Sequence, residues 1–396
     1  MGGILKQQRR TKVIAGGLAA LMSMALVVGL PSISSAAKAK KPTGPMTANT
    51  LKYLLKIYKE YSSRPTQLGL VEPALTNIPT GKHIAYIYGN TPAAVITSQS
   101  MQAAVAAFGH GWTYTGYELP STSASAFQTG YTQALAQPGI NAIVSSSVAP
   151  SEIAPQLAAA AAAGVKVAIV TGAANSTNNS QYAVVMGPAV LSNWGRLMAD
   201  YVLLRTKGKA HPLIATTTAI QALQIEASGF QAEYKLRCPK CVQPIFYNAP
   251  PQDLGTAAFG SDMVAELNAN PQVDWVYVGY NDLFIGATQA LNSAGIHGVN
   301  IITFNQDNLS DPLLGVKNGL VMSQGFPLLE GSWLGLDAVA RMMMGLSNAA
   351  DLNFAGRGTP YEWYVTKQSL AKAGIPNNVN LPLAANYQSG FKKLWQ

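Results

Sequence analysis

The stretch Ala158-Ala-Ala-Ala-Ala-Ala163-Gly164-Val165-Lys-Val-Ala-Ile-Val170 places a helix, its stop and a strand in immediate succession. The helix starts at Pro150, Gly164 supplies the residue that tolerates a left-handed turn after it, and the short apolar run 165–170 reads as a strand. The same unit recurs on both sides. Upstream come strand 83–88, a helix with Met101, Ala104, Val105 and Phe108 at helical spacing, strand 113–118, a helix near 125–136 and strand 140–145. Downstream come strand 182–186, a helix entered through Gly187-Pro188, strand 212–216, a helix around 219–236, strand 243–247, helix 256–269, strand 274–279, helix 283–294 and strand 299–304. Serial strand–helix–strand units need right-handed crossovers and give parallel sheets covered by helices on both faces. Two α/β sheets of similar size are expected. Strand 320–323, a helix bearing Leu329, Trp333, Leu336, Ala340 and Met343, and a strand at 361–365 are too short for a third domain and are expected to pack back onto the first two.

Composition agrees. The chain has 396 residues, 48% hydrophobic and 11% charged, which corresponds to about two domains at roughly 100–200 residues each. The net charge is +9, but Lys6, Arg9, Arg10 and Lys12 lie in residues 1–37, and the chain from Lys38 carries +5. With no helix-turn-helix ahead of the body, nucleic acid is not an expected partner.

The amino terminus reads as an export signal: a basic stretch from Lys6 to Lys12, an apolar run from Val13 to Leu30, and a small-residue exit with Ser35 and Ala37 at the cleavage positions. A retained anchor is the alternative, the run being near the lower length limit for a span. No cysteine lies between 31 and 42, so no lipid anchor at the signal exit is expected. Thr11 and Lys12 follow Arg9-Arg10 where a twin-arginine signal has apolar residues. Residues 38–81 read as a tether followed by an amphipathic helix at 51–61, with Leu51, Leu54, Leu55 and Tyr58 on one face. In an exported protein, Cys238-Pro-Lys-Cys241 is expected to form a local disulfide.

Catalytic signatures are missing. There is no GxSxG, HExxH or Gly-rich Walker loop; Thr80-Gly81-Lys82 and Gly356-Arg-Gly358 are fragments without the remaining glycines. The four histidines are scattered and only two cysteines exist, so neither metal nor cofactor is expected. An enzyme is not expected.

Asn281-Asp282-Leu-Phe-Ile-Gly-Ala287 after an apolar strand, Ile301-Ile-Thr-Phe-Asn305, Ser323-Gln-Gly-Phe-Pro327 and Gly187-Pro-Ala-Val-Leu-Ser-Asn-Trp-Gly195 resemble, in order and spacing, the type I periplasmic binding proteins, the ribose-binding and lactose-repressor-like group. The resemblance covers about residues 82–366. It implies two doubly wound parallel-sheet lobes joined by a three-strand hinge, lobe 1 from 82–187 plus 326–360 and lobe 2 from 188–325 plus 361–396. It further implies an exported, monomeric receptor in the periplasm or outside the cell, which holds a small solute in the interlobe cleft and delivers it to the membrane permease of an ABC importer.

Carried over by position, Asn90, Thr171, Gln224, Asn281, Asn305 and Gln324 are the candidate ligand-binding residues. Each also reads as a residue that bonds its own backbone. Departures from the sugar binders are plain at Thr91-Pro92-Ala93-Ala94, where stacking aromatics are common, and at Val170-Thr171-Gly172-Ala173, where an Asp-Arg pair is common. A cleft of amides and small residues cannot compensate a buried charge, so the expected ligand is neutral. Tyr88, Tyr280 and Phe304 are candidate apolar walls. The resemblance favours a sugar; the missing clamp residues favour a hydrophobic or aromatic nutrient such as a steroid fragment. A ligand-sensing protein for a membrane partner is a further alternative.

Overall fold

Strand burial sets the architecture. In β1 (His83–Gly89), Ile84, Ala85, Tyr86 and Ile87 are all essentially inaccessible to solvent, as befits a parallel strand covered on both faces. The computed structural model describes residues 46–70, 72–174, 182–346, 362–380 and 382–396; the expected signal at 1–37 and the tether up to 45 lie outside the described residues. β1 pairs in parallel with β2 (Thr113–Leu119) and β3 (Ile140–Ser146), followed by β4 (Lys166–Val170) and β5 (Tyr182–Val185), in the order β2-β1-β3-β4-β5. The second sheet contains β6 (Pro212–Thr216), β7 (Ile245–Asn248), β8 (Trp275–Val278), β9 (Asn300–Phe304), β10 (Leu320–Gly325) and β11 (Trp363–Val365), in the order β11-β10-β9-β8-β6-β7. Only β11 runs antiparallel to its neighbour. Strand order reverses beside β1 in one sheet and beside β6 in the other, and crevices at such points, outside the strand carboxyl ends, are where open α/β sheets bind ligands.

The helix α1 (Ala48–Tyr61) precedes both sheets; α2 (Pro92–Phe108), α3 (Ala124–Ala136) and α4 (Ala154–Ala162) serve the first. Thr91 caps α2 by accepting from Ala94 N, with Pro92 in the first turn. In the second lobe, α5 (Pro188–Thr206) crosses α6 (Gln221–Arg237) at two glycines. A Cβ on Gly195 would sit 1.8 Å from the Glu226 carbonyl oxygen, and one on Gly229 would sit 2.2 Å from that of Ser192. The two backbones therefore touch, and this contact sets where both helices meet the cleft. α7 (Ala258–Ala269) and α8 (Ala287–Ser293) complete this lobe. α8 is shorter than the expected 283–294, because Gly286 at φ +74 interrupts the chain after a 3-10 turn at Asn281–Leu283. The helix α9 (Leu328–Met343) returns across the first sheet, with Gly335 against Val144 and Val170.

The segments before β1 and after β11 contact both lobes among the described residues. α1 lies on α5, where Tyr58 stacks on Tyr364 of β11 at 5.8 Å and Arg237 lies over the Tyr53 ring at 3.6 Å. Leu54 is its buried apolar residue; Leu55, expected on the same face, is 53% exposed. The chain then reaches lobe 1, where Arg341 of α9 donates to the Pro73 carbonyl and Trp112 to that of Pro79. After β11 and α10 (Lys367–Ala373) comes α11 (Tyr387–Leu394), and the final stretch departs from the expected grouping of 361–396 with lobe 2. Trp395 stacks on Trp333 of α9 at 5.1 Å and meets Phe108 of α2 edge-on, while Ala384 N donates to Glu330. The aromatic face of Tyr387, Phe391 and Trp395 finds its matching apolar surface on lobe 1.

Candidate functional site: the interlobe cleft

The strand carboxyl ends of both lobes converge on one cavity. Lobe 1 contributes Tyr86, Thr91, Ala93, Ser146, Ser147 and Thr171; the hinge region contributes Met186, Phe326 and Pro327. From lobe 2 come Leu191 and Trp194 on α5, Ile220, Leu223 and Glu226 around α6, then Leu254, Tyr280 and Phe304. The space that the centre of a water molecule can reach is ≈ 90 Å³; a single water needs about 10–15 Å³. The cavity therefore has room for one small molecule.

An aromatic group forms the floor. Trp194 stacks on Phe304 at 4.9 Å and meets Phe326 edge-on at 5.1 Å, and Phe304 and Phe326 are 4.6 Å apart. Helical spacing puts Leu191 and Trp194 of α5 on the face turned toward β9. Glu226 is the one carboxyl in the wall among the described residues. It accepts from the Tyr277 hydroxyl, and burial holds it well above the ordinary carboxylate range. Across the lobes, Ala93 N in the first turn of α2 donates to Asp282 Oδ2 at 3.4 Å. Burial, with Asp307 adding to it, pushes the Asp282 carboxyl up to about 7.

Of the six candidate residues, Thr171 reaches the cavity, held at φ +56 and bonded to Ser147 at 2.9 Å. Asn281, Asn305 and Gln324 are buried behind the wall. Asn305 donates to Asn281 at 2.7 Å, and Asn281 donates to Asp307; Gln324 has no hydrogen bond from its side chain. Asn90 and Gln224 are exposed and outside the wall. Tyr280 and Phe304 line the cavity; Tyr88 packs on Tyr86 instead. Neither Glu226 nor Trp194 was among the wall residues expected from the sequence. The available signal was an acid on the helical face shared with Ala222 and Leu223.

Far from the cleft, Cys238 and Cys241 are joined by a disulfide at the end of α6, packed against Gly208. Among the described residues no cluster of three or more His, Cys, Asp or Glu is arranged to hold a metal, and no helix is long and apolar enough to cross a membrane.

Two parallel sheets with paired switch points facing one cleft define the type I periplasmic binding fold. No family model matches the chain, and no curated protein matches it by sequence. Solved structures share the fold. A 5-methylthioribose transporter solute-binding protein from Thermotoga lettingae, in complex with 5-methylthioribose, superposes with TM-score 0.61 at 15% identity, covering 80% of this chain and 99% of that one. An ABC transporter solute-binding protein from Mycobacterium smegmatis with bound glycerol gives TM-score 0.59 at 18% identity, over 76% and 99% of the two chains. One from Clostridium phytofermentas with bound L-rhamnose gives 0.59 at 14%, over 74% and 98%.

Proposed function

We propose that this protein is an exported receptor that captures one small neutral solute between its lobes and delivers it to the membrane permease of an ABC importer. It makes and breaks no bond. The observation that carries this reading is the cavity at the two switch points, with no Lys, Arg or Asp in its wall among the described residues and a single carboxyl whose neutral form burial favours. A charged solute would have no counter-charge there and would cost several kcal/mol to bury. The binding residues are those of the wall, with Thr171 the one shared with the set expected from position. The fold and the solutes named with the similar structures support transport as the setting. The protein acts as a monomer in the periplasm or outside the cell.

Thermal unfolding of the purified protein against monosaccharides, nucleosides, polyols, amino acids and aromatic alcohols tests this. A neutral solute at about 100 times its Kd adds roughly 2.7 kcal/mol of stability. A response confined to charged compounds contradicts the reading, and so does turnover of any compound in the panel.

A further inference from the structure

Several of the hydroxyls of the cavity wall are already bonded within the protein. Tyr86 donates to Thr97, Thr97 to the Ala94 carbonyl and Ser332 to the Thr97 carbonyl, all at 2.7–2.8 Å, while Ser147 and Thr171 bond each other. Glu226 Oε2 and the indole N–H of Trp194, both buried and both on residues of the wall, have no protein partner. No Asn or Gln lines the cavity among the described residues. A monosaccharide brings about four or five hydroxyls, and each one buried without a partner costs about 1–3 kcal/mol. A wall without amides, with several of its hydroxyls already engaged, offers few partners for that. Glu226 Oε2 is left without a partner, and since burial favours the neutral carboxyl, the group can both donate and accept, which suits a single hydroxyl or carbonyl.

Size narrows the class further. The ≈ 90 Å³ available is below the about 150 Å³ of a cavity that takes up benzene. One ring enters with a slight parting of the lobes; a fused polycycle such as a steroid fragment needs far more. Resting on the receptor reading, we propose that the solute is a neutral one-ring compound, apolar over most of its surface, whose single hydroxyl or carbonyl bonds Glu226 while its ring packs on Trp194, Phe304 and Phe326.

Calorimetric titration and thermal unfolding of the whole protein with phenol, benzyl alcohol, toluene, D-ribose and D-glucose test this. The two aromatic alcohols are expected to bind and raise the Tm, phenol about tenfold more tightly than toluene, and the sugars to do neither. In Glu226→Leu the preference for phenol over toluene disappears while toluene still binds; in Glu226→Gln, which keeps the hydrogen-bonding capacity and the shape, part of it remains. Should the Leu variant not fold, the Gln variant and the wild-type ratio decide. Ring binding without a preference for phenol overturns the role of Glu226. Sugar binding without ring binding overturns the proposal and leaves the receptor reading standing. No response to either class, with no small molecule released when the purified protein is denatured, overturns both.

Discussion

The cavity wall and the polar cluster behind it are built from adjacent residues, and they do opposite things. At the ends of β8 and β9, Tyr280 and Phe304 line the cavity, while their neighbours Asn281 and Asn305 are bonded to each other behind it. Asp307 completes the cluster, accepting from Leu309 N and Ser310 N at 2.8–2.9 Å and from the Asn281 amide. The chain leaves the strand at each amide, Asn281 opening a 3-10 turn and Asn305 standing at φ +74, so the aromatic at the strand end faces the ligand and the next residue goes to the scaffold. The amides here tie down the loops that hold the aromatics.

The strongest challenge to this division is Gly195→Ala. Its Cβ would meet backbone at 1.8 Å, so α5 and α6 must separate and carry Trp194 and Glu226 with them. A loss of more than about 3 kcal/mol in urea unfolding is expected, with loss of solute binding. Asp307→Ala probes the scaffold alone. It leaves three donors without their acceptor and is expected to cost about 2–3 kcal/mol, with the solute affinity of the folded variant unchanged. A collapse of affinity at unchanged stability would instead place the cluster in the binding site.

Acidity probes the burial that both regions share. Burial pushes the carboxyls of Asp200 and Asp282 up to about 7 and those of Asp311 and Glu330 up to about 8. Between pH 4 and 8 the folded chain therefore holds protons that the unfolded chain releases, and raising the pH favours unfolding. The Tm is expected to be several degrees lower at pH 8 than at pH 5, and Asp282→Asn to reduce the slope. At the small end, Gln224→Ala should change stability by less than about 0.5 kcal/mol and leave solute affinity as it was, since Gln224 is exposed and the wall belongs to its neighbours Leu223 and Glu226.

Much of the fold was legible in one dimension because strand and helix each have a period. The runs at 83–88, 140–145 and 299–304 became β1, β3 and β9 within a residue or so. Thr171, Tyr280 and Phe304 reached the cavity because turns after parallel strands must lie at the strand carboxyl ends. Gln224 lies outside the cavity wall for a matching reason: position along the chain locates a helix amino terminus, while one step of 100° around the helix decides which side chain faces the cleft. The chain's end was misplaced because the partner of its aromatic face, Trp333, is 58 or more residues away from Phe391 and Trp395.

The amino-acid sequence by itself determined the repeated strand–helix units, the parallel sheets and an uncharged cleft, since periodicity and composition are local properties of the chain. Only the tertiary structure decided which polar groups are satisfied. Glu226 is an acid like any other until α5 and α6 meet at Gly195 and Gly229 and bury it beside Trp194. Asn281 and Asn305 are free amides until Asp307 draws them behind the wall. Hydrogen bonding and desolvation depend on what the fold brings together from distant parts of the chain.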